Sequence, residues 1–100
     1  MTIKVCLAGA TGWAGSALAR HIAHSEDIEL VSAVSRTHAG RILGNVLGEP
    51  RLTCPIFTTV EEALEYPCDV YFDYTKPDVA KTNVLTALDR GANVVVGTSG

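Results

Sequence analysis

The sequence predicts a doubly wound α/β domain built on one parallel sheet, and three observations carry the prediction. Short apolar, β-branched runs alternate with helix-period segments along the whole chain. The first of these runs passes directly through a glycine turn into a helix. Each run ends in small, polar or glycine residues, so those residues are expected together at the carboxyl edge of the sheet, where such folds bind ligands.

The first run, Ile3-Lys4-Val5-Cys6-Leu7-Ala8, opens through Gly9, Ala10, Thr11 and Gly12 into Trp13, Ala14 and Gly15. Gly9, Gly12 and Gly15 stand at the Gly-x-x-Gly-x-x-Gly spacing, a variant of the dinucleotide fingerprint. The first permits the tight turn, the second lets a pyrophosphate approach the backbone, and the third lets helix and strand pack closely. A helix N-terminus then offers unpaired N–H groups and a positive dipole end to phosphates. This unit makes the expected fold Rossmann-like.

The first helix is expected from about Ala14 to His24, with Ala14, Ala17, Leu18, His21 and Ile22 as its inward stripe. His21 reads as packed at the stripe's edge and His24 as solvated. A polar turn at Ser25-Glu26-Asp27 leads to Ile28–Val34, a strand apolar enough to be buried on both faces. Ser35 and Arg36 follow it, where an acidic side chain would meet the 2′-hydroxyl of NAD and an arginine the 2′-phosphate of NADP. Arg36 reads either as a solvated loop residue or as that phosphate's partner; with no carboxylate at the position, NADPH is favoured over NADH.

From Ile42 to Pro55 the chain is loop-like, with a short helical turn suggested by Ile42, Leu43, Val46 and Leu47. Ile56-Phe57-Thr58 is a brief strand. Thr59-Val60-Glu61-Glu62 fits a capping box, and its helix stops before Pro67. Asp69–Tyr74 is the fourth strand. Pro77 suits the first position of the next helix and Asp78 its first turn, with Val84, Leu85 and Leu88 as the apolar stripe and Gly91 as the stop. Asn93–Val96 is the fifth strand and runs into Gly97-Thr98-Ser99-Gly100. Gly9, Arg36, Thr75 and Gly97 are expected to converge on one crevice.

The chain's 100 residues correspond to a single domain, 47% hydrophobic and 19% charged, within the ordinary range for a compact protein. A net charge of −3 disfavours a nucleic-acid or membrane surface as the main partner. The three cysteines, Cys6, Cys54 and Cys68, lack metal-ligand spacing and read as free thiols of a reducing compartment. No metal site is expected. With no signal peptide or long apolar span, a cytoplasmic location is expected.

Asp73-Tyr74-Thr75-Lys76-Pro77-Asp78 and Gly97-Thr98-Ser99-Gly100 resemble the Asp-Phe-Thr-Arg-Pro-Glu and Gly-Thr-Thr-Gly motifs of 4-hydroxy-tetrahydrodipicolinate reductases. Those are NAD(P)H-dependent oxidoreductases of lysine and diaminopimelate biosynthesis. The resemblance covers residues 1–100, read as the family's dinucleotide-binding domain, truncated after the fifth strand and without the substrate domain. It implies that Gly9 to Ala14 hold the pyrophosphate, that Ser35 and Arg36 meet the adenosine ribose, and that Thr75, Gly97, Thr98 and Ser99 lie on the cofactor, the last three beside the nicotinamide. It further implies hydride transfer to a dihydropyridine-type heterocycle, with the proton donor and substrate contacts in the missing domain and a homo-oligomeric full-length enzyme. No catalytic residue is assigned here; Tyr74, Lys76 and Asp78 read as strand-end and cap residues. Gly12-Trp13-Ala14-Gly15 departs from the family's usual Gly-Arg-Met-Gly, and Ser35 from its frequent acid. The first half also resembles N-acetyl-γ-glutamyl-phosphate reductase, and a non-catalytic nucleotide- or CoA-binding module shares the architecture.

Overall fold

A computed structural model of the chain describes residues 2–97. Nine elements alternate: β1 (Ile3–Ala8), α1 (Trp13–Ala23), β2 (Ile28–Val34), α2 (Leu43–Leu47), β3 (Ile56–Phe57), α3 (Val60–Ala63), β4 (Val70–Asp73), α4 (Pro77–Asp89) and β5 (Asn93–Val96). The strands form one parallel sheet in the order β3-β2-β1-β4-β5. Strand order reverses between β1 and β4, so the crevice of a doubly wound sheet falls above these two strands.

Side chains alternate faces along β1, and the two faces carry two cores. Val5 and Leu7 pack with Ala19 and Ile22 of α1 and Leu43 of α2. Cys6 and Ala8 pack on the opposite side with Val60 and Ala63 of α3, Tyr71 of β4 and Ala87 of α4. β1 is therefore covered on both faces, which is why its last four residues are all buried.

Two helices present different faces from those their apolar periodicity suggests. In α1 the buried residues are Gly15, Ala19 and Ile22, while Ala17 and His21 are exposed. The helix lies so close to the β1–α1 turn that a Cβ at Gly15 would land on the Gly9 carbonyl. The contact face is thus chosen by the residue with no side chain, which a count of apolar side chains passes over. In α4 the buried residues are Ala80 and Ala87, and Leu85 and Leu88 are 59% and 54% exposed. Small residues again make the close contact, and the predicted leucine stripe faces outward.

The caps explain the element boundaries. Lys76 is the N-cap of α4, followed by Pro77 at the start of the helix, where a missing N–H costs nothing. At the other end Gly91, at φ +83°, donates to Leu88 and Ala92 donates to Ala87, a Schellman closure. In α3 the Thr59 hydroxyl accepts from the Glu62 amide at 3.3 Å as expected. The Glu62 carboxylate, however, accepts from that same hydroxyl at 3.1 Å, not from the Thr59 amide. Strand β4 is one residue shorter at each end than the expected Asp69–Tyr74, and the Asp69 carboxylate beside its start accepts from the Lys4 amide at 2.9 Å.

Candidate functional site

The β1–α1 turn divides its three glycines by purpose. Gly9 sits at φ +79°, and a Cβ there would meet the Tyr74 carbonyl oxygen at 2.8 Å. It therefore needs glycine both for conformation and for the passage of β4 beside it. Gly15 needs glycine to let α1 lie on the turn. Gly12 has an ordinary extended backbone (φ −74°, ψ 174°), and a Cβ would meet only the Gly9 carbonyl, at 3.4 Å. The fold itself does not require glycine at this exposed position, so the open space over its backbone is room for something else.

The amides around that space are partly committed. Gly9 and Ala10 both donate to the Val34 carbonyl, at 3.0 and 3.4 Å, and Gly12 donates to Gly9 at 3.1 Å. Ala10 is also fully buried. Among the described residues, Thr11, Trp13 and Ala14 donate to no protein group, as expected for the first turn of a helix. With no side-chain cap and no acidic residue in that turn, the positive end of α1 is uncompensated. Trp13 projects from it, 94% exposed.

A cleft of about 500 Å³ opens beside this turn, between the carboxyl ends of β2 and β4. Gly9, Ser35, Arg36, Tyr74, Thr75 and Lys76 line it, with Val34, Val60 and Val79 supplying apolar wall. Ser35 is buried, and its hydroxyl is shared with Thr11 at 2.9 Å and Thr37 at 3.3 Å. A hydroxyl chain therefore ties the phosphate-type turn to the loop after β2. Arg36 is exposed at the cleft and forms no ion pair among the described residues. Gly97 follows β5, and its missing side chain makes room for the Tyr74 ring. It touches the crevice through that ring and does not line it. Thr98 and Ser99 lie outside the described residues.

Asp73, quoted from the sequence as the start of a motif, is given no role there. It is the last residue of β4, fully buried, and accepts from the Tyr71 hydroxyl at 2.6 Å, the Thr75 amide at 2.8 Å and the Thr75 hydroxyl. Burial, then the bond to Asp73, pushes the Tyr71 phenol far above its ordinary range. An aspartate ending an otherwise apolar strand was the available signal. The thiols stand apart from the crevice chemistry. Burial pushes Cys6 and Cys54 up to about 12, so both are neutral packing groups.

Residues 3–100 match the family model described as "Dihydrodipicolinate reductase, N-terminus". A 4-hydroxy-tetrahydrodipicolinate reductase of Bacillus cereus is 36% identical over 99 residues, covering 98% of this chain and 37% of that protein. One of Bacillus thuringiensis (strain Al Hakam) is 35% identical over the same length. This chain thus spans little more than a third of the curated relatives it matches. Among solved structures, the dipicolinate-bound dihydrodipicolinate reductase of Paenisporosarcina sp. TG-14 superposes with a TM-score of 0.77 at 24% identity, over 100% of this chain and 38% of that one. The aspartate semialdehyde dehydrogenase of Candida albicans with NADP superposes at 0.82 and 19% identity, over 99% and 30%. At these identities the superpositions speak for the fold alone. The match over nearly every residue goes further: this chain belongs to the dihydrodipicolinate reductase family, as its N-terminal part.

Proposed function

We propose that the chain is the NAD(P)H-binding domain of an oxidoreductase that reduces a dihydropyridine-type heterocycle in lysine and diaminopimelate biosynthesis. The observation that carries this reading is the free first turn of α1 facing the open space over Gly12, at the switch point of a parallel sheet. A pyrophosphate needs donors, positive potential and backbone access, and this turn supplies all three. The amides of Thr11, Trp13 and Ala14 would hold it. The cleft beyond Ser35 and Arg36 would take the adenosine half, with Arg36 the group for a 2′-phosphate. Gly97, with Thr98 and Ser99, would flank the nicotinamide side. Bound there, the reduced nicotinamide supplies a hydride. The residues of this chain would bind and orient it, and no catalytic acid is assigned among them. The family match favours this reading over an N-acetyl-γ-glutamyl-phosphate reductase or a CoA-binding module.

Calorimetric titration of the chain with NADPH, NADH and coenzyme A tests the proposal. Saturable binding of the two dinucleotides, NADPH the tighter, with none of coenzyme A, supports it. Binding of coenzyme A alone, or of no nucleotide, overturns it.

A further inference from the structure

The carboxyl group of Asp73 is buried with no cation beside it among the described residues, and its partners are all neutral donors. An acid in such a place is costly to desolvate, and packing alone would be served by an apolar residue. Its effect is felt at Thr75, two residues on. One carboxylate oxygen accepts both donors that Thr75 possesses, its backbone amide and its hydroxyl, while the Tyr71 hydroxyl holds the other oxygen from behind. Thr75 lines the cleft. With its only two hydrogens directed at Asp73, what it offers a ligand is lone pairs, on its hydroxyl and its carbonyl oxygen.

We propose that Asp73 is a positioning residue that makes Thr75 an acceptor-only contact in the cleft, selecting a neutral O–H or N–H donor of the bound dinucleotide, such as a sugar hydroxyl, and turning phosphate oxygens away. This assignment rests on the dinucleotide reading above. Lys76 lines the same cleft as a cation, so the acceptor character belongs to Thr75 itself and not to its whole side of the crevice.

A double-mutant cycle on the 100-residue chain tests it, with NADPH and NADH titrated by calorimetry and circular dichroism confirming the fold. Thr75→Val is expected to weaken both dinucleotides about five- to tenfold, the loss of one hydrogen bond, and to weaken them equally because the donor is common to both. Thr75→Ser, which keeps the hydroxyl, restores binding to within about twofold. Asp73→Ala weakens binding in the native background and clearly less beside Thr75→Val, where only the bond to the backbone amide is left to lose, while Asp73→Asn, which keeps an acceptor toward Thr75, recovers most of the affinity. A folded Thr75→Val chain that binds like the unsubstituted one overturns the assignment, as do losses from Asp73→Ala and Thr75→Val that simply add. Should Asp73→Ala not fold, the Thr75→Val and Thr75→Ser pair still decides. An unsubstituted chain that binds neither dinucleotide overturns the dinucleotide reading itself, and with it this one; intact binding with unresponsive variants overturns the positioning alone.

Discussion

Gly12 and Gly15 share one helical turn, yet the structure makes opposite demands on them. At Gly12 the protein leaves room for a Cβ, so Gly12→Val is expected to fold normally and lose dinucleotide binding, the side chain filling the phosphate's place. At Gly15 a Cβ collides with the Gly9 carbonyl, so Gly15→Ala is expected to lower the melting temperature before any ligand is added. Calorimetry beside thermal circular dichroism separates the two; a Gly12→Val chain that is folded and binds normally removes the phosphate role. Arg36 carries a different expectation. It is exposed at the cleft without an ion pair among the described residues, free for a 2′-phosphate. Arg36→Ala is expected to weaken NADPH on the order of ten- to a hundredfold, the range of a charge-assisted bond, and to leave NADH nearly unchanged. Equal weakening of both cofactors would place Arg36 on some part they share.

The helices are held through small residues, and this sets the cost of changing them. In α4 the contact with the sheet is made by Ala80 and Ala87, while Leu85 and Leu88 face outward. Leu85→Ser and Leu88→Ser are therefore each expected to alter stability by no more than about 0.5 kcal/mol. Ala87→Leu, which forces volume between helix and sheet, is expected to cost about 1–3 kcal/mol. Urea titration of the three variants checks the order; a costly Leu88→Ser with a harmless Ala87→Leu would reverse the assigned face of α4. The outward leucines have exposed counterparts in Val95 and Val96 of β5, 43% and 49% accessible.

For the molecule as a whole, two buried thiols tie stability to alkaline pH. Cys6 and Cys54 rise from an ordinary 9.0 to about 12 on folding, both through burial. Between those values the unfolded chain sheds protons that the folded chain keeps, so the unfolded state binds fewer protons and stability falls as pH rises. Their contribution is complete below 9.0 and lost on approaching about 12. The urea midpoint is expected to drop from about pH 8, below this linkage window, to about pH 10, inside it, with a shallower drop in a Cys6→Ala/Cys54→Ala chain; an identical pH slope would show that other groups govern it. Function at this scale has a sharper expectation. The chain is a dinucleotide-binding domain, and the groups that orient an acceptor and protonate a product are proposed to come from outside it. Orientation supplies roughly 7–11 kcal/mol of barrier lowering, and a general acid a further factor of about a hundred to ten thousand. Residues 1–100 alone are expected to oxidise no NADPH with the heterocycle supplied. Turnover by this chain would put the acid within it, Lys76 first.

What the sequence determined by itself was the alternation of strands and helices, the β2 and β5 limits to the residue, the glycine turn and the family. These follow from local rules: periodicity, caps such as Pro77 and Gly91, and a glycine spacing that serves one kind of turn. It also placed Gly9, Ser35, Arg36 and Thr75 at strand ends, because a parallel sheet puts all such ends on one edge. Tertiary structure alone decided which helix faces are buried, because Gly15, Ala80 and Ala87 gain contact by being small, and smallness leaves no hydrophobic signal. It alone showed that Gly9 and Ala10 spend their amides on Val34, that Ser35 bonds Thr11, and that Gly97 meets the crevice through Tyr74. It alone revealed Asp73 beneath Thr75. Each of these joins residues distant in the chain or turns a side chain one particular way, and no one-dimensional spacing encodes a distance across the sheet.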